Sequence, residues 1–494
     1  MLDPLLLLSA TRLAALVRAG DTSSEHIVDV HIRHIERVNP VINAMVAERF
    51  DTARAEARAA DVRRRQEPPE SLPPFHGVPC SIKESFAVTG MPNTAGLLAR
   101  KALRAREDAI TVTRLRNAGF IPLGVTNTPE LCMWMESNNR VYGCSNNPYD
   151  PRRTVGGSSG GEGAIVGAGG APVGLGSDIA GSIRMPAFFN GVFGHKPTGG
   201  LVPSSGQFPR PTGGTLRYIT TGPITRRAED LMPLLALLAG PHPDDPACIS
   251  FPLGDPGAID LRALTVHTVE SDGLHAVHPE LLAAQRRAAE VLGSLGATVR
   301  PANLTHLSRT LEIWSAMVAA GNVVSGTRGP SFAELLGEGR RISVGREMVR
   351  LALGRSPHTL PAVALAFLED ASKLLPGRMT QAAKLGEELR AEIAGLLGDS
   401  GVLLYPSHPV PAPRHGHSLY APLRWAYTAI FNVMELPVTQ VPLGLGTEGL
   451  PLGVQVVAPH AHDHLSIAVA GHLEAALGGW IPPSLSGPWY QHRP

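Results

Sequence analysis

Two glycine- and serine-rich runs constrain this chain more than anything else in it. They are Thr154-Val155-Gly156-Gly157-Ser158-Ser159-Gly160-Gly161-Glu162-Gly163-Ala164 and, shortly after, Gly176-Ser177-Asp178-Ile179-Ala180-Gly181-Ser182-Ile183-Arg184-Met185-Pro186. Glycine at this density belongs in tight turns and close backbone approaches rather than in the middle of helices or strands. A phosphate is one object such turns hold, because they expose backbone N–H groups at a helix start. The details reject it. No Lys follows the glycines to complete GxxxxGK[ST], and the nearest GxGxxG attempt, Gly161 to Val166, fails at its last position.

Acyl transfer is the alternative, and it needs a nucleophile, a proton acceptor and donors for the oxyanion. Ser182 follows Ile179-Ala180-Gly181, whose small side chains let consecutive amides face a substrate carbonyl, and a helix opening at Arg184 toward Asn190 adds its positive end. On composition alone, a Ser in a Gly-rich turn is more often a turn residue or cap. No GxSxG elbow surrounds Ser158 or Ser182, and none of the nineteen histidines is tied to them by a motif. His195 reads as structural. The alternating His460, His462 and His464 have metal-ligand character, but a polar loop after a strand explains them as well. Lys83 is different: it ends the apolar strand Val78 to Ile82, just before Glu84-Ser85. A Lys delivered to a sheet end and buried there loses its charge and serves as a base; an exposed strand-end Lys is the plainer reading of the residues.

Around these runs, short strands at Gly77 to Ile82, Phe120 to Val125 and Pro172 to Leu175 alternate with a helix over Ala109 to Ala118. That alternation predicts an α/β fold with a large twisted mixed sheet flanked by helices. Residues 1–74 read as an N-terminal helical segment. Leu13, Leu16 and Val17 share one face, Asp21 to Ser24 offers caps for a helix over His26 to Val38 ended by Pro40, and a third helix runs from Asn43 into Ala53 to Arg65. Residues 75–229 form the core and 230–400 a variable, mainly helical insert with helices at Pro279 to Leu292, Pro361 to Leu375 and Thr380 to Leu397. Residues 401–494 return to the same core with strands at Val402 to Tyr405, Val438 to Pro442 and Gly453 to Val457 and a helix over Asp463 to Leu477, giving effectively one large domain.

A formal net charge of +1 provides no field for polyanions, so nucleic acid is not an expected partner. Cys80, Cys132, Cys144 and Cys248 have no metal-ligand spacing and read as reduced thiols. Leu5 to Leu8 is preceded by Asp3 and followed too soon by Thr11, Arg12 and Arg18 for a secretory segment or a span, so a cytoplasmic protein without a membrane span is expected.

The stretch Phe75 to Thr225, with Gly77-Val78-Pro79, Ile82-Lys83-Glu84, the Gly156 to Glu162 block, Ser177 to Pro186 and Gly194-His195-Lys196-Pro197-Thr198, resembles the amidase-signature family throughout. The helical N-terminus and Gly449 to Gln455 resemble it too. The resemblance implies a serine hydrolase of amide bonds with a Ser/cis-Ser/Lys triad: Ser182 as nucleophile, Ser158 as proton bridge after a cis Gly157-Ser158 peptide, and Lys83 as base. It implies oxyanion donors at the amides of Ile179, Ala180, Gly181 and Ser182, with Ala180 standing where many relatives have Gly. Asp178 and Arg184 would fix the loop and Ser159 would support Lys83 or cap a turn. Cys132, Met133 and Trp134 follow Thr126 to Pro129, where the family lines its acyl pocket, although Met133 also suits core packing. No cofactor or metal is implied.

The finer match of Ser177 to Gly191 with Gly206-Gln207-Phe208-Pro209 is similar to the fatty-acid amide hydrolase 2-like branch, which implies a hydrophobic acyl or aryl amide substrate, with esters and carbamates (urethanes) also in reach. The alternative is the glutaminase A subunit of a tRNA-dependent amidotransferase, which predicts a small polar pocket and an obligate complex. The expected state is a monomer or homodimer.

Overall fold

Runs rich in Val, Ile, Leu and Thr between Gly and Pro turns become strands because each buries side chains on both sides of one sheet. The computed structural model describes residues 2–245, 248–324, 329–372, 376–484 and 490. Its strands begin with β1 (Met45–Glu48), β2 (Val78–Lys83), β3 (Phe120–Thr126), β4 (Asn138–Asn139) and β5 (Gly143–Cys144). They continue with β6 (Val173–Asp178), β7 (Phe193–Lys196), β8 (Thr220–Thr225), β9 (Thr265–Thr268) and β10 (Thr298–Pro301). The last are β11 (Gly401–Tyr405), β12 (Val438–Leu445) and β13 (Pro451–Val457).

Eleven of these form one mixed sheet in the order β1-β3-β2-β6-β8-β7-β12-β13-β11-β9-β10, and β4 and β5 form a separate hairpin. β3, β2 and β6 run parallel, as do β11, β9 and β10, with antiparallel pairs between them. The period of two is visible in β11. Val402 and Leu404 join an apolar cluster with helices Pro279–Ser294 and Asp463–Leu477. Leu403 and Tyr405 join the opposite one, with helices Thr310–Val324, Pro376–Leu397 and Ala426–Val433. Helices therefore cover both faces.

Several sequence expectations shift. The helix capped by Ser23 runs Ser24–Ile42 and carries Pro40 inside it, ending only where Asn43 turns left-handed. Pro40 has no N–H for the Glu36 carbonyl, and the helix runs only two residues past it. Met45–Glu48, expected to open a helix, pairs instead with β3, so long-range pairing overrides local pattern, and the helix is Phe50–Gln66. The mainly helical stretch 230–400 supplies β9 and β10, the far edge of the sheet. The helix expected over Pro361 to Leu375 is Leu360–Ser372, and 373–375 lie outside the described residues.

Further helices of that stretch pack on the core through Leu97, Leu131, Phe332, Leu336, Ala362 and Ala366, with Met133 against them. Beside this cluster, buried Glu130 receives His358 Nδ1 at 2.8 Å and the Thr359 amide at 2.7 Å, tying the segment after β3 to the helix start. Among the described residues no helix is long and apolar enough to cross a membrane. All four cysteines are free thiols.

Candidate active site

Parallel pairing of β2 with β6 sets Ser81 opposite Gly174 and Ile82 opposite Leu175, so the two strands end together and Lys83 arrives beside Ser177. Carboxyl ends of parallel strands are where such sheets hold their ligands. Lys83 is fully buried, with Nζ donating to Ser158 Oγ at 2.7 Å and to Ser177 Oγ at 3.0 Å. Burial pushes the ammonium below its ordinary range, against weaker opposing fields from Cys132, Asp178 and Glu162. Glu162 is buried close by, receives Ser81 Oγ at 2.5 Å and Thr126 Oγ1 at 2.7 Å, and is itself pushed up by burial to about 8.

The Gly157-Ser158 peptide is cis. Gly157 is needed there because the Trp134 carbonyl oxygen lies 2.2 Å from where a Cβ would stand. Ser158 is 2% exposed and Ser182 9%, the more open of the two hydroxyl-bearing residues. The described hydrogen bonds join Lys83 to Ser158 but include none between Ser158 and Ser182. Ser159, a candidate partner of Lys83, turns elsewhere: its Oγ bonds the Ser177 carbonyl and amide, each at 3.3 Å. Ser177, which sequence reasoning missed, takes that place.

Beyond β6 the loop 179–183 leads into helix Arg184–Phe189. Arg184 and Asp178, both fully buried, meet through Nε–Oδ2 and Nη2–Oδ1 contacts of 3.0 Å, and Arg184 also donates to Gln455 Oε1 at 2.8 Å and Asn432 Oδ1 at 2.6 Å. Burial alone would raise the Asp178 pKa, but the guanidinium and the Ile183 amide outweigh it and hold the carboxyl below its usual range. Asp178 Oδ1 also takes the Gly181 amide at 2.6 Å. The Gly181 N–H, expected among the oxyanion donors, is thus engaged inside the loop, while the Ile179, Ala180 and Ser182 amides donate to no group among the described residues. Gly181 has φ +110°, and a Cβ there would sit 1.9 Å from Thr428 Oγ1.

The loop carbonyls are held from behind. Asn432 Nδ2 and Thr220 Oγ1 donate to the Asp178 carbonyl at 3.0 and 3.3 Å, Trp314 Nε1 to Ile179 at 3.0 Å, and Thr428 Oγ1 to Ala180 at 2.7 Å. None of Trp314, Thr428, Asn432 or Gln455 was singled out from sequence. Only Gln455 carried a signal, as the amide inside the apolar run Gly453-Val454-Gln455-Val456-Val457.

Cys132, Met133 and Trp134 are half-buried. Cys132 Sγ lies 3.2 Å from Thr128 Oγ1, Met133 packs against the insert cluster, and the Trp134 backbone abuts Gly157. Leu131 and Cys132 are both left-handed, at φ 54° and 59°. His195 is remote in role: its ring bonds Thr439 Oγ1 at 2.9 Å and Asp463 Oδ1 at 3.1 Å, fully buried. His462 bonds the His460 carbonyl at 2.9 Å on the turn before helix Asp463–Leu477, and the described residues hold no cluster of three or more ligands for a metal.

The family model for amidases matches residues 26–466. The chain belongs to the amidase-signature family. This amidase is 45% identical over 493 residues to fatty-acid amide hydrolase 2-B of Danio rerio, covering 98% of this chain and 92% of that one. It is 32% identical to an acylamidase of Rhodococcus erythropolis over 506 residues, 99% and 97% of the two chains. A solved bacterial aryl acylamidase of the same family superposes with a TM-score of 0.79 at 25% identity, over 99% of this chain and 98% of that chain. The amidase is accordingly an amide-hydrolysing enzyme.

Proposed function

We propose that this amidase hydrolyses hydrophobic acyl or aryl amides, and esters and carbamates of the same shape, through an acyl-enzyme on Ser182. The observation that carries the reading is the 2.7 Å contact between a fully buried Lys83 Nζ and Ser158 Oγ, since a lysine kept neutral by burial is a base at neutral pH. Lys83 takes the proton of Ser158 Oγ, which takes that of Ser182 Oγ as it attacks the carbonyl. Ser158 returns the proton to the leaving nitrogen. Water, activated by the same relay, then releases the acid and frees Ser182. The amides of Ile179, Ala180 and Ser182 receive the oxyanion, and the half-buried Cys132, Met133 and Trp134 give the acyl side its apolar character.

The test is a panel: a fatty-acyl anilide, an aryl carbamate, a short aliphatic amide, glutamine and a nitrophenyl ester, each with wild type and Ser182→Ala. Cleavage of the apolar members by wild type alone supports the reading, and their ranking names the substrate class. Cleavage of glutamine only would move the chain to the glutaminase reading, and full activity in Ser182→Ala would remove the mechanism.

A further inference from the structure

The loop that presents the oxyanion amides is a short series of trans peptides, in each of which the C=O and the following N–H point in opposite directions. Fixing a carbonyl from one side therefore aims the next amide to the other. Asn432 and Thr220 on the Asp178 carbonyl do this for the Ile179 N–H. Thr428 on the Ala180 carbonyl does it for the Gly181 N–H, which indeed lands on Asp178. Trp314 Nε1 on the Ile179 carbonyl, at 3.0 Å, does it for the Ala180 N–H.

Trp314 differs from the other anchors in origin. Thr428 and Asn432 sit on helix Ala426–Val433 and Thr220 on β8, whereas Trp314 comes from helix Thr310–Val324, inside the mainly helical stretch 230–400. Its ring packs edge-on against Trp425, with centroids 5.2 Å apart and planes at 82°, and Trp425 immediately precedes the helix that carries Thr428 and Asn432. One indole therefore holds the middle carbonyl of the loop and braces the helix that holds its neighbours.

Building on the function proposed above, we infer that Trp314 is a positioning residue for transition-state stabilisation: its indole N–H aims the Ala180 amide at the developing oxyanion. A donor that acts only on the tetrahedral state changes kcat and leaves ground-state binding alone. Losing a direct oxyanion donor costs about 10²–10³ in kcat. Losing an anchor behind one donor should cost less, about 5- to 30-fold.

The experiment compares wild type with Trp314→Phe and with a protein carrying β-(3-benzothienyl)alanine at 314, which keeps the bicyclic shape and removes only the N–H. The readings are kcat and KM on a nitrophenyl ester and on an anilide, the affinity of an alkyl boronic acid as a tetrahedral analogue, and the melting temperature. The expected result is a kcat lower by 5- to 30-fold with KM within 2-fold, and boronate affinity weakened by the same factor as kcat/KM. The benzothienyl protein should show this with an unchanged melting temperature, so the inference survives even if Trp314→Phe folds poorly. Unchanged kcat and boronate affinity in the benzothienyl protein would overturn it, as would a raised KM at constant kcat, which is the mark of a pocket wall. Ser182→Ala run in parallel separates the levels: if it is inactive while the benzothienyl protein matches wild type, this inference alone falls; if it is fully active, the underlying mechanism falls with it.

Discussion

Lys83 Nζ stands 2.7 Å from Ser158 Oγ with no part of the lysine open to solvent. Under the proposed mechanism such a contact serves catalysis while it burdens the fold, because the unfolded chain holds a proton on this lysine that the folded one resists. The sign follows. A lysine whose folded pKa lies below its ordinary 10.5 leaves the protein less stable at every pH below that value than a neutral side chain would. Lys83→Met is expected to abolish amide hydrolysis and raise the melting temperature at pH 7, the gain shrinking as pH approaches 10.5. Melting curves from pH 6 to 10 check this, and a lower melting temperature at pH 7 would count against a neutral buried lysine.

Under the proposed mechanism the same lysine sets the pH profile. kcat/KM should fall on the acid side as Lys83 takes up a proton, and hold through neutral pH. Activity that stayed flat well below neutral pH would exclude Lys83 as the base.

Ser158→Ala removes the proposed bridge but hardly any packing. We expect kcat to drop by about 10²–10⁴ with the melting temperature nearly unchanged. Turnover comparable with wild type would mean that Lys83 reaches Ser182 without Ser158.

Asp178→Asn should destabilise the protein by about 3–5 kcal/mol, since it strands the buried Arg184 charge with only the neutral Gln455 and Asn432 as partners. Because the folded Asp178 carboxyl titrates below its ordinary 3.8, the deficit should persist down to about that pH and shrink below it. Urea unfolding at pH 7 and pH 3 measures both, and equal midpoints at pH 7 would refute the account.

Gly181→Ala combines a left-handed φ with a Cβ 1.9 Å from Thr428 Oγ1. It should cost about 1–3 kcal/mol of stability and most of the activity. Thr428→Ala in the same chain removes the nearer colliding atom, Oγ1, leaving the Thr428 Cβ position 2.4 Å away, and is expected to restore part of the stability; no recovery would point to backbone strain and the Cβ contact instead.

The central strands were legible because they are buried on both faces: β2 and β3 lie within one residue of where the pattern put them, and β6 begins one residue later and runs three residues further, through Ser177 and Asp178. β1, β9 and β10 were not, being short and at the sheet's margins, where pairing with a distant strand decides the outcome. In the site, Lys83, Ser158 and Ser182 stand in motifs that can be matched by eye. Trp314, Thr428 and Asn432 act on backbone carbonyls of residues far away in the chain, and nothing local marks them. The Gly181 amide shows a further limit: a run of small residues says that amides are available, but not that Asp178 claims one of them.

The cluster of Leu131, Met133, Phe332, Leu336 and Ala362, pinned by Glu130 to His358, rests against the segment that follows β3 and supplies no strand to the sheet. A substitution among these residues therefore reaches β3 through Glu130 and Leu131 rather than through a strand ladder.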